Sequence, residues 1–540
     1  MTRAPHVGPS GTVVYGFALL LSLVSVPARA QDEGPQRRAA SSGTSAWFGL
    51  PLPPAPGAVP AVVTGARGPR PVTLPPDEPV VSELEADTIH ADLEQLVAIA
   101  RDSRAASEIG TGQLWGRISG FPSGVKTANW AADEFRRAGI GNVKLQAITQ
   151  DANASLWLPV SWQVKVLGDS AFGAGSGDVV LESAMPLAPS EIPGGSLTAP
   201  LVSVGNGSSV LLERLEVKGK IAVQSVVPQA HMVFERDRVV PRAQALMKRG
   251  AVAVVNLMRQ PGNELARDFS NCGGPCVNIG GHDGHFVEQV FERAAALGVV
   301  DKLRATITLK SDVRRGLTAQ NAVAVIRGSA SDESIVLNAH YDGWFEGAGD
   351  NADGLAVLVA LARHFARPEQ RPQRTVVFVA SAGHHTPGIN GPRAFVAANP
   401  TLAANAVMMV NIEHVAQRNF SPSRNVARDG YREAIADAGE APITAGITNG
   451  SPFLDSLIDQ GVLRYSVNFV SDRSRMQSGE TGGYAGIKGA RLTIMQAPPL
   501  YHTTGETLSA ISRPGLERIA RFFAYFVKEV DRAPASRINP

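Results

Sequence analysis

Apolar residues recur along the chain with two distinct periods. Leu84, Ile89, Leu93, Leu96, Val97 and Ile99 follow a near-helical spacing and predict a helix within 81–101. A second helix is expected over 124–139, carrying Trp130, Phe135 and Ala138 and ending at Gly139. Residues 143–148 then alternate as a strand does. From about 155 to 310 the texture changes to short strands between turns. Candidates are 179–181 after the Gly177–Asp178 turn, 201–204 and 221–223, with a helical stretch over 242–250 and an apolar run at 251–256. Longer apolar strands resume at 321–326, 334–340, 374–380 and 406–412. Among them lies a helix over 353–365 that buries Leu355, Leu358, Val359 and Ala362 and places His364 on its surface. Near-continuous apolar strands belong in a sheet covered on both faces. The pattern predicts an α/β fold: a doubly wound, mostly parallel sheet with an inserted smaller β-rich domain, and no internal repeat. Such sheets gather ligands beyond the carboxyl ends of their strands.

With 540 residues the chain exceeds what one core normally holds. The expected division is an export signal over 1–30, a Pro/Gly/Ala-rich disordered linker over 31–80, an α/β domain over 81–165 and 311–532, and the insert over 166–310. Arg3 and His6 precede an apolar stretch at 13–26, and Ala28-Arg29-Ala30 supplies a small-x-small cleavage pattern, so the mature chain starts near Gln31. That stretch is short for a bilayer span of ~20 residues. The expected location is therefore secreted or periplasmic, with no stable membrane span after cleavage. A formal charge of +2 and the absence of a basic run point away from a nucleic-acid partner. Two cysteines cannot build a four-ligand zinc site. Cys272 and Cys276, separated by Gly-Gly-Pro, instead favour a local disulfide over two free thiols in an oxidising compartment. The sequence is silent on oligomeric state.

Histidine placement changes the picture most. Six of the eleven histidines lie between 340 and 502. His340 closes one strand, His384-His385 follow another, Glu413-His414 follow a third, and His502 comes soon after the apolar 492–495. Asp350 precedes a helix. Taken singly, each has an ordinary reading: a satisfied histidine, a helix cap, a surface imidazole pair, a solvated strand end, a loop histidine. Taken together, they share one position past strand ends in one domain, and histidine and carboxylate donors are what zinc takes.

The order of these segments resembles the co-catalytic zinc exopeptidases, metallopeptidase family twenty-eight, which includes bacterial aminopeptidases and glutamate carboxypeptidases. The resemblance runs through His340-Tyr341-Asp342, the segment 347–354 around Asp350, Asn411-Ile412-Glu413 and Tyr501-His502-Thr503. Residues from about 170 to 310 resemble the protease-associated domain often inserted there. The resemblance implies Zn²⁺, one or two ions, with one held by His340 and Glu413, the other by His385 and His502, and Asp350 bridging. Asp342 would orient His340. The family has Glu-Glu where this chain has His384-His385, the first glutamate being the general base and the second a ligand. His384 therefore occupies the base position, with Glu346 as the alternative base, and the site loses one negative charge. The reading is an exported metallo-exopeptidase-like hydrolase, aminopeptidase or carboxypeptidase, cleaving amide bonds of peptides or small amide substrates. Its alternative is an inactive homologue that keeps the fold as a binding module, and His384 is the residue that separates the two.

Overall fold

The apolar runs become the centre of an eight-stranded sheet. We label its strands β1 (Asn142–Thr149), β2 (Thr318–Ile326), β3 (Ser334–His340), β4 (Thr375–Ser381), β5 (Ala406–Glu413), β6 (Ile443–Ile447), β7 (Phe469–Ser474) and β8 (Ala490–Gln496). The spatial order is β7-β6-β8-β5-β3-β4-β2-β1. β3 lies parallel to β4 and β5, and β5 parallel to β8. β2 and β1 add antiparallel on one edge, while β6 runs antiparallel to β8 and parallel to β7 on the other. The sheet is therefore mixed, with its four central strands parallel.

The computed structural model of the chain describes residues 47–53, 67–207, 209–226, 236–267, 271–422, 434–474, 479–496 and 500–540. By contacts the chain divides into Met1–Thr44 and Ser45–Pro540, and all eight strands belong to the second unit. The export signal and most of the linker expected from the sequence lie outside the described residues.

Period-two alternation sorts the central strands onto two faces. Ile335, Leu337, Val376, Phe378, Met408 and Val410 pack on α1 (Ala86–Ala105), α2 (Pro122–Arg137), α3 (Asp353–Ala366) and α4 (Arg513–Arg532). Val336, Val377, Val379 and Met409 face Phe395 and Tyr484 on the other side. Both faces are covered, which is why these strands read as unbroken apolar runs. His364 departs from its expected surface position. It is buried, with Nδ1 3.0 Å from Glu83 Oε1, because the end of α3 packs beneath the turn that leads into α1.

A second eight-stranded sheet forms from residues 156–314. It is built on two eleven-residue antiparallel strands, Leu156–Val166 and Arg304–Arg314. These begin before and end after the expected 166–310 insert. Pro159 explains why the first is hard to read, since proline breaks a strand pattern by removing a ladder donor. The register slips at Lys310/Ser311, opposite Ser161 and Pro159, which absorbs the interruption. Cys272 and Cys276 form a disulfide in this lobe. Part of the stretch expected as linker also packs here: the Trp47 ring stacks on Phe172 at 5.0 Å, and its Nε1 donates to the Gly177 carbonyl at 2.8 Å. Phe48 adds a second ring on Phe172 at 5.2 Å and a backbone bond to its carbonyl, and Leu50 is buried beside them, so a few large apolar residues anchor a segment whose composition otherwise reads as disordered. Among the described residues no helix is long and apolar enough to cross a membrane.

Candidate metal centre

His340 is the last residue of β3 and Glu413 the last of β5, while His385 and His502 follow β4 and β8. Four neighbouring parallel strands thus deliver four donors to one edge of the sheet. Asp350 enters from the segment Ala348–Ala352 at the start of α3. Its Oδ2 lies 3.0 Å from His385 Nε2 and 2.9 Å from His502 Nε2. Its Oδ1 lies 3.4 Å from His340 Nε2, which is 4.0 Å from Glu413 Oε1. Two donors bonded at ~2.0–2.1 Å to one tetrahedral ion stand roughly 3.3 Å apart, so both halves of Asp350 face zinc-sized gaps. All five residues are buried.

Local chemistry holds this arrangement. Asn351 Nδ2 donates to the carbonyls of His340 (3.3 Å) and Ile412 (3.0 Å), and its Oδ1 accepts from His414 N at 3.0 Å. One side chain therefore ties the Asp350 segment to the ends of β3 and β5. Buried Arg117 donates to the carbonyls of Tyr341, Glu346 and Gly347 and fixes the loop on its other side. Asp342 contacts two of the candidate ligands, where only His340 was expected. Its backbone carbonyl lies 3.0 Å from His340 Nδ1, and its carboxylate accepts from His385 N at 3.1 Å. A partner on the second ring nitrogen is the usual way a ligand histidine is oriented.

Residues 321–527 match the sequence profile of Peptidase family M28. This segment is similar to the M28 peptidases and makes up less than half of the chain. A probable glutamate carboxypeptidase from Arabidopsis thaliana is 27% identical over 191 residues, 34% of this chain and 26% of that protein. An inactive zinc metalloprotease from Schizosaccharomyces pombe is 28% identical over 110 residues, 20% of this chain and 14% of that one. The matches thus span about a quarter or less of these relatives. Two solved structures share the fold at 18% identity. A peptidase M28 precursor from Shewanella amazonensis (TM-score 0.57) is matched over 83% of this chain and 98% of its own. A zinc aminopeptidase from Bacillus subtilis (TM-score 0.54) is matched over 84% and 98%.

The donors gathered here fit zinc. Among the described residues His340 Nε2 is buried without a hydrogen-bond partner, a costly state that an ion relieves. One donor atom each from His340, Asp350 and His385 lies within 4.8 Å of the others, and the same holds for His340, His384, Glu413 and Glu480. Electrostatics agree. Burial would raise the Asp350 carboxyl, but the imidazoles of His385 and His414 hold it well below the ordinary carboxylate range. Burial pushes His502 down to about 3, keeping it in the neutral form a metal needs.

The sequence reading did not single out Glu480, and it left His414 without a role. His414 Nε2 sits 3.0 Å from Asp350 Oδ1. Glu480 Oε1 sits 2.7 Å from His384 Nδ1, and the His384 ring stacks on His340 at 4.1 Å. Burial would depress His384, but Glu480 and the other carboxylates raise it well above its usual value. Glu346, the alternative base, faces Arg101 instead, with Oε1 at 2.9 Å from the guanidinium.

The second lobe reaches the site. Arg267 N donates to the His502 carbonyl (2.9 Å), Thr504 N to the Leu265 carbonyl (3.1 Å), and Leu265 N to Thr504 Oγ1 (3.1 Å). The Arg267 guanidinium lies 3.9 Å over Trp344, whose ring is 5.8 Å from that of His385.

Proposed function

We propose that the chain is an exported zinc-dependent exopeptidase acting on peptides or related small amides. The observation that carries this reading is the meeting of His340, Asp350, His385, Glu413 and His502 at the carboxyl ends of four parallel strands. Asp350, His340 and Glu413 would hold one ion, and Asp350, His385 and His502 the other. Bound there, zinc supplies Lewis-acid polarisation of the scissile carbonyl and acidifies water. His384 stands where the family carries a glutamate, with its Nδ1 engaged by Glu480. That contact fixes the ring and leaves Nε2 as the proton-accepting atom. With two zinc ions bound, the carboxylates that raise His384 would be offset and the ring returned to the neutral form that takes a proton. Asp342 orients His340 and His385. Residues 166–310 act as a protease-associated-like lobe bordering the substrate, and residues 1–30 direct export.

The test uses the chain beginning at Gln31, purified and assayed for metal by elemental analysis and for release of terminal residues from a peptide panel. Bound zinc together with chelator-sensitive cleavage is the expected result. A chain that holds zinc but cleaves no peptide is a binding module, and one that holds no zinc overturns the metal reading itself.

A further inference from the structure

Exchanging a glutamate pair for a histidine pair costs the site negative charge. The family that this chain resembles sets three carboxylates against two divalent ions. Here His385 stands in for one of them, leaving Asp350 and Glu413. A site short of one anion binds its second cation less well.

The loop that begins at Gly479 supplies a carboxylate at the right place. Glu480 belongs to the turn Gly479–Gly482 and is 7% exposed. It lies in the donor cluster with His340, His384 and Glu413, whose donor atoms fall within 4.8 Å of one another. Its two oxygens are used differently. Oε1 accepts the His384 contact at 2.7 Å, while Oε2 is buried with no hydrogen-bond partner among the described residues. A contact to His384 alone accounts for one oxygen and leaves the other unexplained. The backbone is shaped for this approach. Gly479 has φ +55°, and a Cβ there would stand 2.0 Å from Glu413 Oε2, so only glycine lets the loop close against Glu413. Glu413 Oε2 is in turn occupied by Asn411 Nδ2 at 2.6 Å, which leaves Oε1 to face His340.

We propose that Glu480 is a metal ligand: its Oε2 binds the ion held by His340 and Glu413 and returns to the site the carboxylate lost at position 385. This rests on the metallopeptidase reading of the same site. It places the compensating charge on a different strand connection from the one where the family keeps it.

Zinc titrated calorimetrically into the metal-free full chain and into Glu480→Gln tests it. Glutamine keeps an oxygen for His384 and removes the charge, so a purely structural role tolerates the change. The expected result is two zinc ions in the wild type, and in E480Q one step weakened at least ~10-fold with the other unchanged. Two unaltered steps in E480Q overturn the Glu480 assignment and leave the metallopeptidase reading standing. A wild type that takes up no zinc overturns both. Should E480Q fail to fold, by its circular dichroism, a zinc-soaked wild-type crystal decides. Anomalous density between His340 and Glu413 with Glu480 Oε2 at ~2.0–2.2 Å supports the assignment. The same density with Glu480 beyond bonding distance refutes it.

Discussion

Asn351 carries much of the site's geometry, since its amide binds the Asp350 segment to the ends of two strands and to His414. Asn351→Ala strands three buried backbone groups. With ~1–3 kcal/mol for each unsatisfied group, stability measured by urea denaturation is expected to fall by at least ~2 kcal/mol. His384→Ala is expected to lower turnover by ~10²–10⁴-fold, the range for a positioned acid–base group. Equal turnover in wild type and variant would remove His384 from the mechanism. His384→Glu restores the family residue and is expected to keep or raise activity. The five main donors were legible because each closes or follows an apolar strand or opens a helix, a placement that needs no contact information. Glu480 was not, because a single glutamate among glycines carries no periodicity and its neighbours in space, Glu413 and His384, are far away in sequence. Asn351 and Arg117 escaped for a related reason: what they do is bond to backbone carbonyls, and no side-chain pattern announces that.

At the scale of elements, the parallel centre of the main sheet was readable from apolar runs alone, because burial on both faces removes polar alternation. The second sheet was harder. Its two longest strands are amphipathic, and one is broken by Pro159, so their full extent shows only in pairing. The same sheet presents residues 264–267 to the loop that carries His502. Thr504 lies at the centre of that junction, its hydroxyl accepting from Leu265 N and approaching the Glu264 carboxylate. Thr504→Val keeps the shape and removes both bonds. It is expected to destabilise the protein by ~1–3 kcal/mol in denaturant titration. Because His502 adopts φ 57° and relies on that loop, the variant is also expected to bind zinc more weakly. Unchanged zinc affinity would show that the loop holds its shape without the lobe.

For the molecule as a whole, metal and fold are linked. The site is assembled from four strands, one helix start and a distant loop, and an unfolded chain offers no such cluster. Zinc at 100 times its Kd is therefore expected to add ~2.7 kcal/mol of stability. Stripping it with a chelator is expected to lower Tm by several degrees, restored on adding zinc back. An apo form that melts at the same temperature as the zinc-loaded form would mean that zinc does not bind the folded site.

The Arg267–His502 and Leu265–Thr504 contacts have a consequence in both directions. Thermodynamic coupling between two regions is reciprocal. If the lobe steadies His502 for the ion, then the ion must, to the same extent, steady the lobe. Amide protons along Ala253–Met258 and Cys276–Ile279, strands that contribute no donor to the site, are then expected to exchange with solvent more slowly once zinc is bound. The lobe becomes a remote reporter of metal occupancy, readable by hydrogen exchange without following catalysis at all.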